Sequence, residues 1–234
     1  MSTKIKICGI RRQEDVEAVN AFMPDYVGFI FWDKSFRNIT LQQALALRER
    51  IDCRIPAAGV FVDEEPERIR KYVRSGAIQA VQLHGHETEE TIGRLKEMLG
   101  DIPVWKAFRV RSEEDLRRAE RSPADEIVLD NGCGTGQCFD HGLLTGMKRN
   151  YILAGGLTPE NIAAVIGTYR PYMADISSGV ETGGCKDREK IRRAVEAVRQ
   201  SGAAAQTMRV PDPAVQGMRN AGADNDNAGQ IYRH

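Results

Sequence analysis

The sequence predicts a single-domain α/β protein: a closed (β/α)8 barrel of the TIM type over residues 1–200, followed by a disordered tail over 201–234. Three observations predict it. Short β-branched runs alternate about eight times with longer amphipathic segments. The alternating stretch has the length of one such barrel. Beyond about Ser201 the chain turns rich in Ala, Gly, Asn, Asp and Gln, with Pro211 and Pro213 and little periodic apolar content. An open doubly wound sheet competes, but it would normally carry G-x-G-x-x-G after the first strand, where this chain has Cys8-Gly9-Ile10-Arg11.

The strand-like runs are Lys4–Cys8, Tyr26–Phe31, Ala57–Val62, Ala80–His84, Val104–Phe108, Glu126–Asp130, Tyr151–Ala154 and Met173–Ser177. Helical spacing fills Gln13–Phe22, Leu41–Ile51, Pro66–Ser75, Thr88–Leu99, Glu113–Arg121, Pro159–Thr168 and Arg188–Arg199, with a weaker helix around Asp140–Lys148. In the third of these, Ile69 and Val73 sit four apart while Glu67, Arg68, Arg70 and Lys71 take the wet face. Thr158-Pro159-Glu160 sets a cap ahead of a first-turn proline, and Ser112-Glu113-Glu114-Asp115 loads a helix start with acid. Gly76, Gly100 and Gly167 are read as helix stops.

The chain of 234 residues is 41% hydrophobic and 28% charged, with Lys plus Arg and Asp plus Glu at 33 each. Zero net charge argues against a general nucleic-acid binder. No run approaches the roughly 20 apolar residues of a membrane span, and the first residues lack a signal peptide's apolar block. Five scattered cysteines point to reduced thiols in a cytoplasmic protein. Cys133 and Cys138 lack a partnering Cys or His pair at zinc spacing, so no metal is expected.

In a barrel of this kind the strands' C-terminal ends face the active site. Here they carry Cys8, Phe31 with a basic loop to Arg37, Asp63, His84, Arg109, Asp130 and the run from Asp175 to Ser178. A structural barrel has no need of a thiol, a His, an Arg and two acids at one rim. The Gly-containing loops Ala154-Gly155-Gly156-Leu157 and Ser177-Ser178-Gly179-Val180-Glu181 follow strands seven and eight, where such barrels commonly hold phosphate. A buried core thiol is the default for an isolated Cys in a strand, but Cys8 ends strand one ahead of Gly9, which suits an accessible position, a nucleophile or general base if a cation or helix terminus lowers its pKa from about 8.5. Asp130 reads as a cap, a salt-bridge partner, or a carboxyl beneath a Gly-rich lid over Asn131–Gly136. Together these describe a cofactor-free enzyme acting on a sugar phosphate with one acid and one base.

These residues resemble the phosphoribosylanthranilate isomerase family. The matching words are Lys6-Ile7-Cys8-Gly9, Gly28-Phe29-Ile30-Phe31 with Ser35-Phe36-Arg37, Gly59-Val60-Phe61-Val62, and Val81-Gln82-Leu83-His84-Gly85. They continue with Gly134-Thr135-Gly136 and Phe139-Asp140, Leu153-Ala154-Gly155-Gly156-Leu157, Asp175 to Glu181, and Gly184-Cys185-Lys186-Asp187. The resemblance covers about residues 4–200 and implies an Amadori rearrangement in tryptophan biosynthesis. By motif it makes Asp130 the general acid and Cys8 the general base, gives Arg37 the anthranilate carboxylate, and makes Gly155, Gly156, Ser178 and Gly179 the phosphate cradle. His84 and Asp175 line the same mouth in supporting roles.

Phe36 replaces a Pro common in the family, and His141 replaces a Trp. Two alternatives accompany this reading. A histidine-pathway-type sugar-phosphate isomerase is expected to use an acid where this chain has Cys8. A catalytically silent phosphate-binding barrel would need neither proton-transfer group. A third expectation is contact with another tryptophan-pathway enzyme through Ser201–His234.

Overall fold

The computed structural model describes residues 2–130, 144 and 147–207. The lid segment, Cys133, Cys138, His141, most of the weak helix at 140–148 and residues 208–234 lie outside the described residues, and with them most of the segment assigned to docking.

Eight parallel strands close into one barrel: β1 (Lys4–Cys8), β2 (Tyr26–Ile30), β3 (Ala57–Phe61), β4 (Ala80–Leu83), β5 (Val104–Arg109), β6 (Glu126–Asp130), β7 (Tyr151–Ala154) and β8 (Met173–Ile176). The ring closes where β1 pairs with β8, aligning Lys6 with Asp175 and Ile7 with Ile176. Helices α1 (Gln13–Phe22), α2 (Leu41–Arg48), α3 (Pro66–Arg74), α4 (Glu89–Leu99), α5 (Glu113–Arg121), α6 (Ile162–Tyr169) and α7 (Arg188–Thr207) surround it. A short hairpin, β9 (Glu181–Thr182) and β10 (Cys185–Lys186), precedes α7.

Alternation along each strand sorts side chains between two cores. Ile5, Ile7, Val27, Phe29, Phe61, Val81 and Leu83 face outward and pack with Val16, Val19, Leu47, Ile69, Ile92, Leu95, Ile191 and Val198 of the helices. Ala58, Ala80, Trp105, Ala107, Val128, Ile152 and Met173 form the inner cluster. By the same parity Lys6, Cys8, Gln82, Asp130 and Asp175 belong to the inner face, so the period that builds the barrel also aims the polar residues into its mouth.

Several helix boundaries differ from expectation, and α2 stops at Arg48, three residues before the expected Ile51. Thr158 and Pro159 precede α6 in a turn in which Asn161 Oδ1 accepts from the Thr158 N–H at 2.8 Å and Asn161 Nδ2 donates to Gly156 O at 2.9 Å. That turn takes the place of the first helical turn. At its other end α6 runs through Gly167 and stops at Arg170, whose φ of 48° is left-handed. α7 continues to Thr207, past the expected boundary at 200. No described helix is long and apolar enough to cross a membrane.

Candidate active site

Cys8 closes β1, and the chain leaves it through Gly9, whose φ of 84° is left-handed. The N–H groups of Gly9 and Ile10 both donate to Gly28 O, at 2.8 and 3.0 Å. Gly28 is register partner to Cys8, and a Cβ there would lie 2.7 Å from Sγ. The expected accessible thiol is therefore corrected: Cys8 is buried, hemmed in by Gly28 and the side chains beneath it. Burial pushes its pKa up from 9.0, Lys6 and Lys186 draw it down, and Asp175 opposes them.

Beneath the thiol lies a buried polar cluster. Lys6 Nζ donates to Asp175 Oδ2 at 2.6 Å and to Gln82 Oε1 at 2.8 Å. Asp175 thus sits in the barrel interior below the rim, bound to a fully buried ammonium. Its second oxygen, Oδ1, is buried and makes no hydrogen bond among the described residues. Gln82 Nε2 lies 3.5 Å from His84 Nδ1, and His84 Nε2 lies 3.2 Å from Asp130 Oδ2. His84 and Asp130 are both partly open to solvent. They share a cavity of about 620 Å³ with Arg109, Lys106 and Glu87, and Cys8 is not among its lining residues.

Arg37 is committed to an ion pair. Its Nε and Nη2 donate to the two oxygens of Glu181 at 2.7 and 2.6 Å, a bidentate fork. Its guanidinium also lies 4.0 Å above the centre of the Phe36 ring, which is exposed. Lys186 Nζ reaches Glu181 Oε1 at 2.7 Å and Ser177 O at 2.9 Å, while Ser177 Oγ donates to Cys8 O at 3.1 Å. Burial favours a protonated Glu181, yet hydrogen bonds from Arg37 and Lys186 overrule it and hold the carboxyl at about 2.

The loops after β7 and β8 meet. Gly155 and Gly156 have φ of 89° and 67°, conformations suited to glycine. A Cβ on Gly179 would run into the Leu157 carbonyl oxygen, so the short 3-10 turn Ser178–Val180 rests directly on the β7 loop.

The structure therefore gathers Cys8, Asp175 and Arg37 with Ser178 and Gly179 on the β8 side, and His84 with Asp130 on the other. Sequence reasoning passed over Lys6, Gln82, Glu181 and Lys186 as site residues. A signal existed for two of them: Lys6 and Gln82 are polar residues at inward positions of otherwise apolar strands, where burial demands a partner. For Glu181 and Lys186 the signal was their place inside the quoted motifs.

A closed parallel barrel with a thiol and a His-paired carboxylate at the C-terminal ends of its strands defines an enzyme of proton-transfer chemistry. Residues 5–197 match the N-(5'phosphoribosyl)anthranilate (PRA) isomerase family. The isomerase of Clostridium kluyveri is 42% identical over 199 residues, covering 84% of this chain and 98% of that protein. That of Thermoanaerobacter pseudethanolicus is 41% identical over 203 residues, with the same coverage. The crystal structure of the Thermotoga maritima enzyme superposes with a TM-score of 0.78 at 35% identity, covering 85% of this chain and 99% of that one. A phosphoribosyl anthranilate isomerase in complex with reduced 1-(o-carboxyphenylamino)-1-deoxyribulose 5-phosphate gives 0.76 at 35% identity, with the same coverage. The chain belongs to the phosphoribosylanthranilate isomerase family.

Proposed function

We propose that Cys8 and Asp130 carry the two proton transfers of this chain's reaction. The enzyme converts N-(5'-phosphoribosyl)anthranilate into 1-(2-carboxyphenylamino)-1-deoxyribulose 5-phosphate in tryptophan biosynthesis. The observation that carries the assignment is placement: thiol and carboxyl end β1 and β6 on the inner face of one closed barrel.

In this reading Asp130 protonates the ribose ring oxygen as the ring C1–O bond breaks, giving a Schiff base. The Cys8 thiolate then takes the proton from carbon 2, and the enolamine tautomerises to the ketone by protonation at carbon 1. Burial favours the neutral thiol, so Lys6 and Lys186 matter for forming the base. Arg37 holds the anthranilate carboxylate with the guanidinium edge opposite Glu181, and its fixed fork supplies direction. Gly155, Gly156, Ser178 and Gly179 offer backbone N–H groups to the phosphate where the β7 and β8 loops touch. Asp175 Oδ1, buried without a partner among the described residues, accepts from a sugar hydroxyl.

The test is a fluorescence assay of substrate made in situ, with wild type, Cys8→Ser and Asp130→Asn. Each substitution is expected to lower turnover about 100-fold or more. Full activity in both variants would remove these assignments while leaving the family intact. A wild type that binds substrate without turning it over would favour the silent barrel.

A further inference from the structure

We propose that Lys6 is a positioning residue for both proton-transfer groups: its buried ammonium sets positive charge on the Cys8 face of β1 and orients the Gln82 amide so that His84 presents an N–H to Asp130. The inference rests on the roles given above to Cys8 and Asp130.

An ammonium has three hydrogens and no acceptor. Lys6 directs one to Asp175 Oδ2 at 2.6 Å and one to Gln82 Oε1 at 2.8 Å, and shares the inner face of β1 with Cys8, two residues on. Two acceptors, one of them a carboxylate, hold this charge at no solvent exposure. A Cβ placed on Gly28 would meet both Cys8 Sγ, at 2.7 Å, and Lys6 Cε, at 3.1 Å, so the two side chains border the same point over β2. The charged groups facing the thiol are Lys6 from β1, Asp175 from β8, and Lys186 from β10 with its partner Glu181. Lys6 is the nearest cation along the strand, and Asp175 anchors it in place.

The second consequence follows from donor and acceptor types. Lys6 only donates, so it takes the oxygen of Gln82 and leaves the NH2 to face His84 Nδ1 at 3.5 Å. Nδ1 is then the acceptor, and the ring proton resides on Nε2, 3.2 Å from Asp130 Oδ2. One buried cation thereby sets charge beside the base and tautomer beside the acid, which lie on opposite sides of the barrel.

The experiment uses the full chain. Cys8 titration is followed by thiolate ultraviolet absorbance, as the difference between each protein and its Cys8→Ser counterpart, in wild type and in Lys6→Met. The expected result is a titration midpoint moved to higher pH in Lys6→Met, the acidic limb of the kcat/KM profile moving with it, and kcat/KM down about 100-fold or more. A folded Lys6→Met protein with an unchanged Cys8 midpoint overturns the proposal. Independently of any Lys6 variant, nitrogen NMR of His84, assigned with His84→Asn, is expected to show the Nε2–H tautomer in wild type. Gln82→Met is expected to disturb that tautomer and lower kcat with KM nearly unchanged. An Nδ1–H tautomer in wild type overturns the proposal even where Lys6→Met fails to fold. Full turnover in Cys8→Ser and Asp130→Asn would instead overturn the assigned roles, while the thiol titration and His84 tautomer still report on Lys6.

Discussion

Replacing Glu181 by Gln removes one negative charge from between Arg37 and Lys186 while keeping the side chain's shape. Glu181 is 8% exposed, accepts a bidentate pair from Arg37, and meets Lys186 at 2.7 Å. A carboxyl held at about 2 in the fold, against 4.5 when free, contributes roughly 3 kcal/mol at neutral pH. Solvent at the mouth screens part of this, which brings the expectation to about 2–3 kcal/mol. A second route gives a similar figure. Gln leaves the Lys186 ammonium, 1% exposed, without its carboxylate, and breaking one side of a buried pair costs about 3–5 kcal/mol. Because the folded carboxyl titrates below the free one, the unfolded chain takes up its proton first as pH falls. The contribution is complete above about pH 4.5 and gone by about pH 2. Urea unfolding of wild type and Glu181→Gln at pH 7 should show the gap, and at pH 3 the gap should shrink by more than half. Equal stabilities at pH 7, or a gap that ignores pH, would refute the reasoning.

Three further outcomes follow from the geometry. Gly28→Ala places a methyl 2.7 Å from Cys8 Sγ; it should cost about 1–3 kcal/mol in thermal unfolding and lower kcat/KM about 10-fold or more in the fluorescence assay. Gly179→Ala drives a methyl into the Leu157 carbonyl and parts the β7 and β8 loops, so KM should rise about 10-fold with a smaller change in kcat, and inhibition by inorganic phosphate should weaken. Phe61→Ala removes a fully buried ring that packs with Phe31 and Tyr72 at centroid distances of 5.2 and 5.4 Å; urea unfolding should show a loss of about 3–5 kcal/mol, with kcat near that of wild type in the protein that remains folded.

Much of this architecture was legible because it is local. Each strand announces itself through a short β-branched run, and the structure ends β2, β3, β4 and β8 one residue before the expected Phe31, Val62, His84 and Ser177. Those residues are where backbone pairing gives way to the loops that form the mouth. Ser112 and Asp115 form the reciprocal cap that their spacing implies. Gly167 misled because a glycine inside a helix costs only about 1 kcal/mol, which the packing of Ile162 and Ile166 offsets. The placement of the candidate residues was legible where parity and strand ends decide it, at Cys8, His84 and Asp130, whereas Asp175 lies deeper than the mouth expected for it. The site's electrostatics were not legible. Lys6 and Asp175 are 169 residues apart and Arg37 and Glu181 are 144 apart, and barrel closure alone brings them together. The burial of Cys8 depends on the same closure, since β8 and the hairpin after it bring Asp175 and Lys186 to a thiol on β1.

The balance of charge around that thiol explains why a protein of zero net charge suits an anionic substrate. Inside the barrel Lys6 and Asp175 cancel, so the interior tolerates them as a pair. At the rim Arg37 and Lys186 share the single carboxylate of Glu181, which leaves one surplus positive charge close to Cys8. The surplus is held in place by hydrogen bonds: Arg37 forks onto both oxygens of Glu181, and Lys186 shares Oε1 with Arg37 Nε. An arriving carboxylate or phosphate therefore meets a preorganised cation and pays little to reorganise it. The same surplus acts on Cys8, where it opposes the burial that favours the neutral thiol. In the proposed mechanism, substrate recognition and activation of the base thus draw on one set of charges, and a substitution at Glu181 should disturb both.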